Sequence, residues 1–412
     1  MPLNRRITGF ALVVGLACAT TATTGASTGA STGAGSGSTS ARADAIRKIV
    51  RETMAEQKMR NVIVSVNVDG KNVLTEAVGD DLPDVPVTTD MYFRNGAVAF
   101  AYLGNLLLQF VDEGKVSLDD TIDEWLPDLP GAENVTLLML ANQTAGYSDF
   151  EQDPDWIKAF YEDPFHIWTY EERLRYVLGR PRPFAPGENW SYSHSNFMIL
   201  GEALAKIGGK PLATLLQNKV LKPLGLQHTV ETPTSVIPEP FVHSFSSERR
   251  NFFQVPDGTP FYEEETSFNT QWGTPMGANQ VTTIGDMIKT AIAIGEGKLL
   301  SKKSYKAMTE PKLIGFGHSD PVCTPECFTQ TDVYNFGIGV VLTGNWIKQN
   351  PVLSGYAAVE AYLPSKKIAI AVANTFSEAY YSDPNAASNP ANVLFQAIAE
   401  ELAPNDAPPT NP

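Results

Sequence analysis

Met91-Tyr92-Phe93-Arg94-Asn95-Gly96-Ala97-Val98-Ala99-Phe100 opens a stretch that runs to Pro130. It continues through Leu103, Leu106, Leu107, Leu108, Phe110 and Val111, then Asp112-Glu113-Gly114-Lys115-Val116-Ser117-Leu118-Asp119-Asp120 and Trp125-Leu126-Pro127. Apolar residues recur every three or four positions and the interior holds no Pro, which is the pattern of a helix. The helix is apolar nearly all round, so it belongs inside a core and not on a surface. Gly96 is placed for an entry turn and Gly114 for a left-handed cap after the last turn.

The shape of this stretch resembles the penicillin-binding protein and serine β-lactamase superfamily, in the branch of class C β-lactamases, D-alanyl-D-alanine carboxypeptidases and related esterases. Members of that branch read Phe-Arg-x-Gly-Ser-x-x-Lys, an apolar helix, then Glu-Gly-Lys-x-x-Leu-Asp-Asp. The resemblance covers roughly residues 45–402. It implies that Ala97 stands at the position of the family's nucleophilic serine and Phe100 at that of its lysine. In the family, a serine at the start of a buried helix attacks a carbonyl, and a lysine one turn on relays its proton. Ala97 has no attacking atom and Phe100 carries no proton, which reads as a core closed over an unused site.

Two further motifs follow from the resemblance. The family's Tyr-x-Asn is here Tyr192-Ser193-His194. Tyr192 is either a proton relay or a packing residue, and His194 is either a group titrating near neutrality or a polar substitute. The His-x-Gly or Lys-Thr-Gly of the edge strand is harder to place. Aligning Ser354-Gly355-Tyr356 with the following turn puts Gln349-Asn350-Pro351 on the motif, while Lys348 or Asn345 would take its place with a small gap. Pro351 removes a strand donor and fits only at an edge or a strand start. The implied ligand cleft is lined by Tyr192, His194, Asn350 and Gly355.

Outward from these motifs, Ala45 to Gln57 reads as an amphipathic helix. Val62–Val68 and Val73–Val78, joined across Asp69-Gly70, read as a hairpin. Val135–Leu140 begins another helix, Asp155–Arg175 looks helical, a helix follows the Pro186–Gly201 stretch to Ile207, and further helices are expected from Pro211 to Val220, Thr282 to Ile294 and Asn392 to Leu402. Residues 231–280 are loop-rich. Tyr334–Thr343, Tyr356–Leu363 and Ile368–Thr375 read as strands. The fold class is therefore α/β (α+β): an antiparallel sheet built from both termini and flanked by helices, plus a mainly helical lobe over about 96–284. That is also the architecture the resemblance implies.

Arg5 and Arg6 followed by the apolar Ile7–Ala22 read as an export signal over 1–23, too short for a membrane span. Cys18 is a lipidation candidate, but Gly15 stands where bacterial lipoprotein signals carry a larger aliphatic residue, so simple secretion is favoured. Residues 24–43, rich in Thr, Gly, Ala and Ser, read as a tether. Residues 44–403 form the domain and 404–412 a tail. Cys323 and Cys327, in a tight loop, form a disulfide in an exported protein or remain two free thiols.

The 412 residues carry a net charge of −15, which excludes nucleic acid and anionic membrane surfaces as partners and leaves the membrane only as a site for a signal or lipid anchor. There is no Gly-x-Ser-x-Gly elbow outside the tether, no His-Glu-x-x-His, no phosphate loop and no Cys-x-x-Cys. No cofactor or metal is expected. Two functions are in view: an exported pseudo-hydrolase that binds a cell-wall fragment, small molecule or protein partner through the old cleft, or a hydrolase using displaced groups such as Tyr192 and His194.

Overall fold

The computed structural model describes residues 37–231 and 233–410. The signal segment 1–23, Cys18 and the tether as far as residue 36 lie outside the described residues. Among the described residues, no helix is long and apolar enough to cross a membrane.

The core of the fold is a nine-stranded antiparallel sheet. Its first long strand, Met59–Val68, pairs on one side with Lys71–Leu82 and on the other with Ile368–Phe376, almost at the end of the chain. Ile368–Phe376 in turn pairs with Tyr356–Leu363, and the sheet continues through Trp346–Gln349, Val341–Thr343 and Asn335–Phe336. The sheet is thus built from both termini. Its central strands are buried on both faces, which is why they read as unbroken apolar runs. Val62, Val64 and Val66 face the terminal helices Gly37–Glu56 and Pro390–Leu402, meeting Ile46, Val50, Leu394 and Ile398. Ile63 faces the other way, with Ala369, Ala371 and Ala373, against Ile284, Met287 and Ala291 of the helix Ile284–Gly295. The three alanines leave room for that helix to lie close to the strands.

The second body of the molecule packs around the central helix, Val98–Asp112, in which twelve of the fifteen residues are buried. Gly96 has φ of +41° at the entry and Gly114 has φ of +68° just past the end. A Cβ on Gly104 would lie 2.4 Å from the Ile338 carbonyl oxygen, and one on Gly339 would lie 2.3 Å from that of Phe100. Helix and sheet edge therefore meet backbone to backbone, and only glycine permits that approach. The buried Arg94, one turn before the helix, donates from Nη2 to the carbonyls of Ser235, Thr266 and Phe268 at 3.0–3.1 Å. One guanidinium so anchors the segment 231–280, which carries little regular structure of its own.

Four expectations are corrected. The first helix starts at Gly37, so residues 37–43 belong to it and not to a tether; Ala41, Arg42 and Ala43 are good helix formers. The helix expected over Asp155–Arg175 is two, Pro154–Glu162 and Tyr170–Leu178, broken at Asp163-Pro164 and restarted by a capping box of Thr169 and Glu172. The strand expected over Tyr334–Thr343 is split by Gly337 and Gly339. The tail 404–412 is tied down as far as it is described: Asp406 accepts from Trp346 Nε1 and Asn345 Nδ2 and pairs with Lys366 at 3.1 Å.

Candidate functional site

A cleft of about 130 Å³ opens where the central helix begins, between the two bodies. One wall is the start of that helix with the strand end opposite it: Gly96, Ala97, Gln349, Asn350, Pro351 and Leu353. The other wall carries Asp149, Glu151, Tyr192, His194 and Glu326.

Ala97 is the residue on which the helix starts, and its methyl group faces the cleft. Phe100, one turn on, is fully buried beneath it. Its ring stacks flat on Phe197, with centroids 3.9 Å apart and planes 6° from parallel, and approaches His194 at 6.0 Å and Tyr192 at 6.2 Å. Phe100 is therefore a core residue; it is not among those that line the cleft, and it does not fill it.

The helix His194–Gly208 brings Tyr192 and His194 to the opposite wall. Gln143, held at φ of +70°, accepts at Oε1 from the Ser193 N–H and from Asn196 Nδ2, fixing the start of that helix. Ser195 Oγ donates to the Ser148 carbonyl at 2.6 Å and accepts from the Phe150 N–H, so the loop 148–152 is clamped to the same turn. That clamp sets two carboxylates against His194. Its Nδ1 lies 3.0 Å from Asp149 Oδ2 and 3.0 Å from Glu151 Oε1. Asp149 uses its other oxygen to cap the turn at the Glu151 N–H. Glu326 arrives from the loop closed by a Cys323–Cys327 disulfide, and its carbonyl accepts from the Tyr192 N–H.

Burial governs the titration of this wall. Burial opposes charge on His194, but the Glu151 and Asp149 carboxylates outweigh it and raise its pKa to about 10. Burial pushes Glu151 up to about 7, with His194 pulling the other way, and pushes Glu326 up to about 7 as well. The Tyr192 hydroxyl is forced well above its ordinary range by burial, so near neutrality it is a hydrogen-bond donor and not a base.

The structure brings Ala97, Tyr192, His194, Gln349 and Asn350 to one cleft. Gly355 is not among its lining residues. It sits at φ of +76° in the turn before Tyr356–Leu363, packed against Phe245 and Ser244. Gln349 lines the cleft, and its amide donates to the Gly339 carbonyl at 2.7 Å. Lys348 projects from the other face of the sheet, donating to Asn392 Oδ1 and lying over Phe395, because successive strand residues alternate faces. Asn345 bonds Asp406 at the exposed edge. Neither places a cation in the cleft. Asp149, Glu151 and Glu326 went unnoticed in the sequence, and only the spacing of Asp149 and Glu151 hinted at carboxylates sharing one side of a turn. The absence of a metal motif in the sequence led to no expected metal site, yet Asp149, Glu151 and His194 gather their ligand atoms within 4.8 Å of one another.

The Beta-lactamase family profile matches residues 46–395. The D-alanyl-D-alanine-carboxypeptidase/endopeptidase AmpH of Escherichia coli K12 is 28% identical over 176 residues, covering 41% of this chain and 45% of that protein. The chain thus matches about half the length of its curated relatives. Among solved structures, a D-stereospecific amidohydrolase from Streptomyces sp. superimposes with a TM-score of 0.69 at 20% identity, over 87% of this chain and 97% of that one. D-amino acid amidase from Ochrobactrum anthropi SV3 gives 0.70 at 18% identity, over 88% and 99%. At these identities the likeness is one of fold.

Proposed function

This chain belongs to the β-lactamase family, and on that premise we propose that it is an exported member that does not perform serine acyl transfer and that binds a small ligand, of the cell-wall fragment class, in its cleft. The observation that carries the proposal is the pairing of Ala97 at the cleft with Phe100 stacked beneath it. An acyl enzyme needs an attacking atom and a group to take its proton. At the start of the helix there is neither, and Tyr192, with its raised pKa, does not supply the base. The ligand class follows from the relatives, which include carboxypeptidases named for D-alanyl-D-alanine. Export is supported by the basic and apolar residues 1–23.

A second reading, hydrolysis by displaced groups, draws support from the open cleft on which Tyr192 and His194 converge. One experiment separates the two. The purified protein is incubated with a penicillin and with an activated ester, and its intact mass is measured while nitrocefin turnover is followed. No adduct and no turnover, with folded protein that binds peptidoglycan fragments, is the expected result. A stable adduct, for instance one mapped to Ser388 at the cleft, overturns the proposal. Turnover that collapses in Tyr192→Phe or His194→Ala establishes the second reading.

A further inference from the structure

The wall opposite Ala97 has more acceptors than donors. His194 Nδ1 carries at most one proton, yet two carboxylate oxygens stand 3.0 Å from it. The hydrogen bond goes to Asp149 Oδ2. Glu151 is 2% exposed, and its Oε1, aimed at the same nitrogen, has no hydrogen-bond donor. A buried carboxylate oxygen without a donor is costly. The same cleft holds a second such atom on an independent segment: Glu326 is 7% exposed and its Oε1 is also without a donor. One histidine among the described cleft-lining residues therefore faces three carboxyl groups, and two carboxylate oxygens lack a hydrogen-bond donor. Among the described cleft-lining residues there is no Lys or Arg.

We propose that His194 Nδ1, Asp149 Oδ2 and Glu151 Oε1 bind a divalent metal ion, with Glu326 adding negative charge to the same cleft. One ligand atom from each residue lies within 4.8 Å of the others, and Nδ1 is 3.0 Å from each of the two oxygens, so small side-chain adjustments bring them onto one ion. The donor set of one imidazole and two carboxylates suits a first-row ion such as Zn²⁺ or Mn²⁺ and not a soft ion such as Cu(I). The anchoring is already present. Ser195 clamps the loop that carries both carboxylates, and Asp149 is oriented through its other oxygen by the Glu151 N–H; such outer contacts hold metal ligands in place. Three protein ligands leave positions open toward the cavity. The proposal is independent of the acylation question, since it concerns an ion and is tested without any substrate.

The test uses the full, untagged chain, stripped with a chelator and dialysed. Zn²⁺ binding is measured by calorimetry, and Co²⁺ binding by its visible absorption. The expected result is one ion per chain and a Co²⁺ spectrum of an oxygen- and nitrogen-ligated centre. His194→Asn and Glu151→Gln are each expected to weaken binding by more than the roughly 10–100-fold typical of losing an outer-shell contact. Asp286→Asn removes a different buried carboxylate, one that does not line the cleft, and leaves binding unchanged. Circular dichroism checks the fold of each variant. If the two cleft variants do not fold, nitrogen hyperfine coupling from one imidazole in the wild-type Cu²⁺ form decides the same point. The absence of saturable binding at millimolar ion, the absence of that coupling, or an affinity equal in wild type and Glu151→Gln overturns the proposal.

Discussion

The two walls of the cleft begin at neighbouring helix starts and differ in chemistry. On the Val98–Asp112 side the residues are Ala97 above and Phe100 below, with no polar side-chain atom at either. On the His194–Gly208 side a histidine, two buried carboxylates and a third from the disulfide loop crowd the same space. The frame holding the walls apart is intact: Gly96 turns the chain, Arg94 ties the entry, and Gly104 meets Gly339. In this chain backbone contacts and glycines hold the frame, while the two walls set on it present different chemistry to the cleft.

The largest expected effect tests the apolar wall. Phe100→Ala removes a fully buried ring and is expected to cost about 3–5 kcal/mol, read from the midpoint of urea unfolding. A loss below about 1 kcal/mol would mean the core around Phe100 is loosely packed. On the charged wall, His194→Ala in metal-free protein leaves Asp149 and Glu151 buried without their cation. A loss of about 2–3 kcal/mol at neutral pH is expected, below the full cost for a buried pair because His194 is partly exposed.

A third measurement sets the baseline for a buried carboxyl that does not line the cleft. Burial raises Glu360, in the strand Tyr356–Leu363, to about 8. The native state therefore keeps a proton that the unfolded chain releases near pH 4. The stability this group contributes is full below that pH and is lost as pH rises toward 8. Glu360→Gln abolishes the loss, so its advantage over wild type should grow by about 1–2 kcal/mol between pH 5 and pH 8, followed by thermal melts. A constant difference across that range would show that Glu360 does not titrate there. The smallest effect is expected from Ala97→Ser. Its stability should stay within about 0.5 kcal/mol of wild type, and penicillin should leave no mass adduct, because Phe100 offers the new hydroxyl no base. An adduct would show that the charged wall serves as that base.

Much of the fold was legible because periodicity reports burial. The central helix, the hairpin across Asp69-Gly70 and the last two long strands all announce themselves by which positions are apolar. The split at Asp163-Pro164 was equally written in the sequence and was passed over for the surrounding aromatic pattern. The strand Trp346–Gln349 was missed because its four residues mix apolar and polar types on a strand too short to show a period. At the site, the motif frame located Tyr192 and His194. It could not reveal that Asp149, 45 positions earlier, reaches His194, since that contact depends on how Ser195 holds a loop. Glu326 was hidden for the same reason, on a loop whose course is fixed by its disulfide.

The sheet joins the two ends of the domain, with Val68 directly beside Ile368 across three hundred positions of chain. During synthesis the opening hairpin therefore has one edge bare until nearly the whole polypeptide exists. Contacts so distant in sequence form slowly. The sheet is thus completed only once Ile368–Phe376 has been made, and a truncation that removes this strand deprives the first strand of its partner on that side.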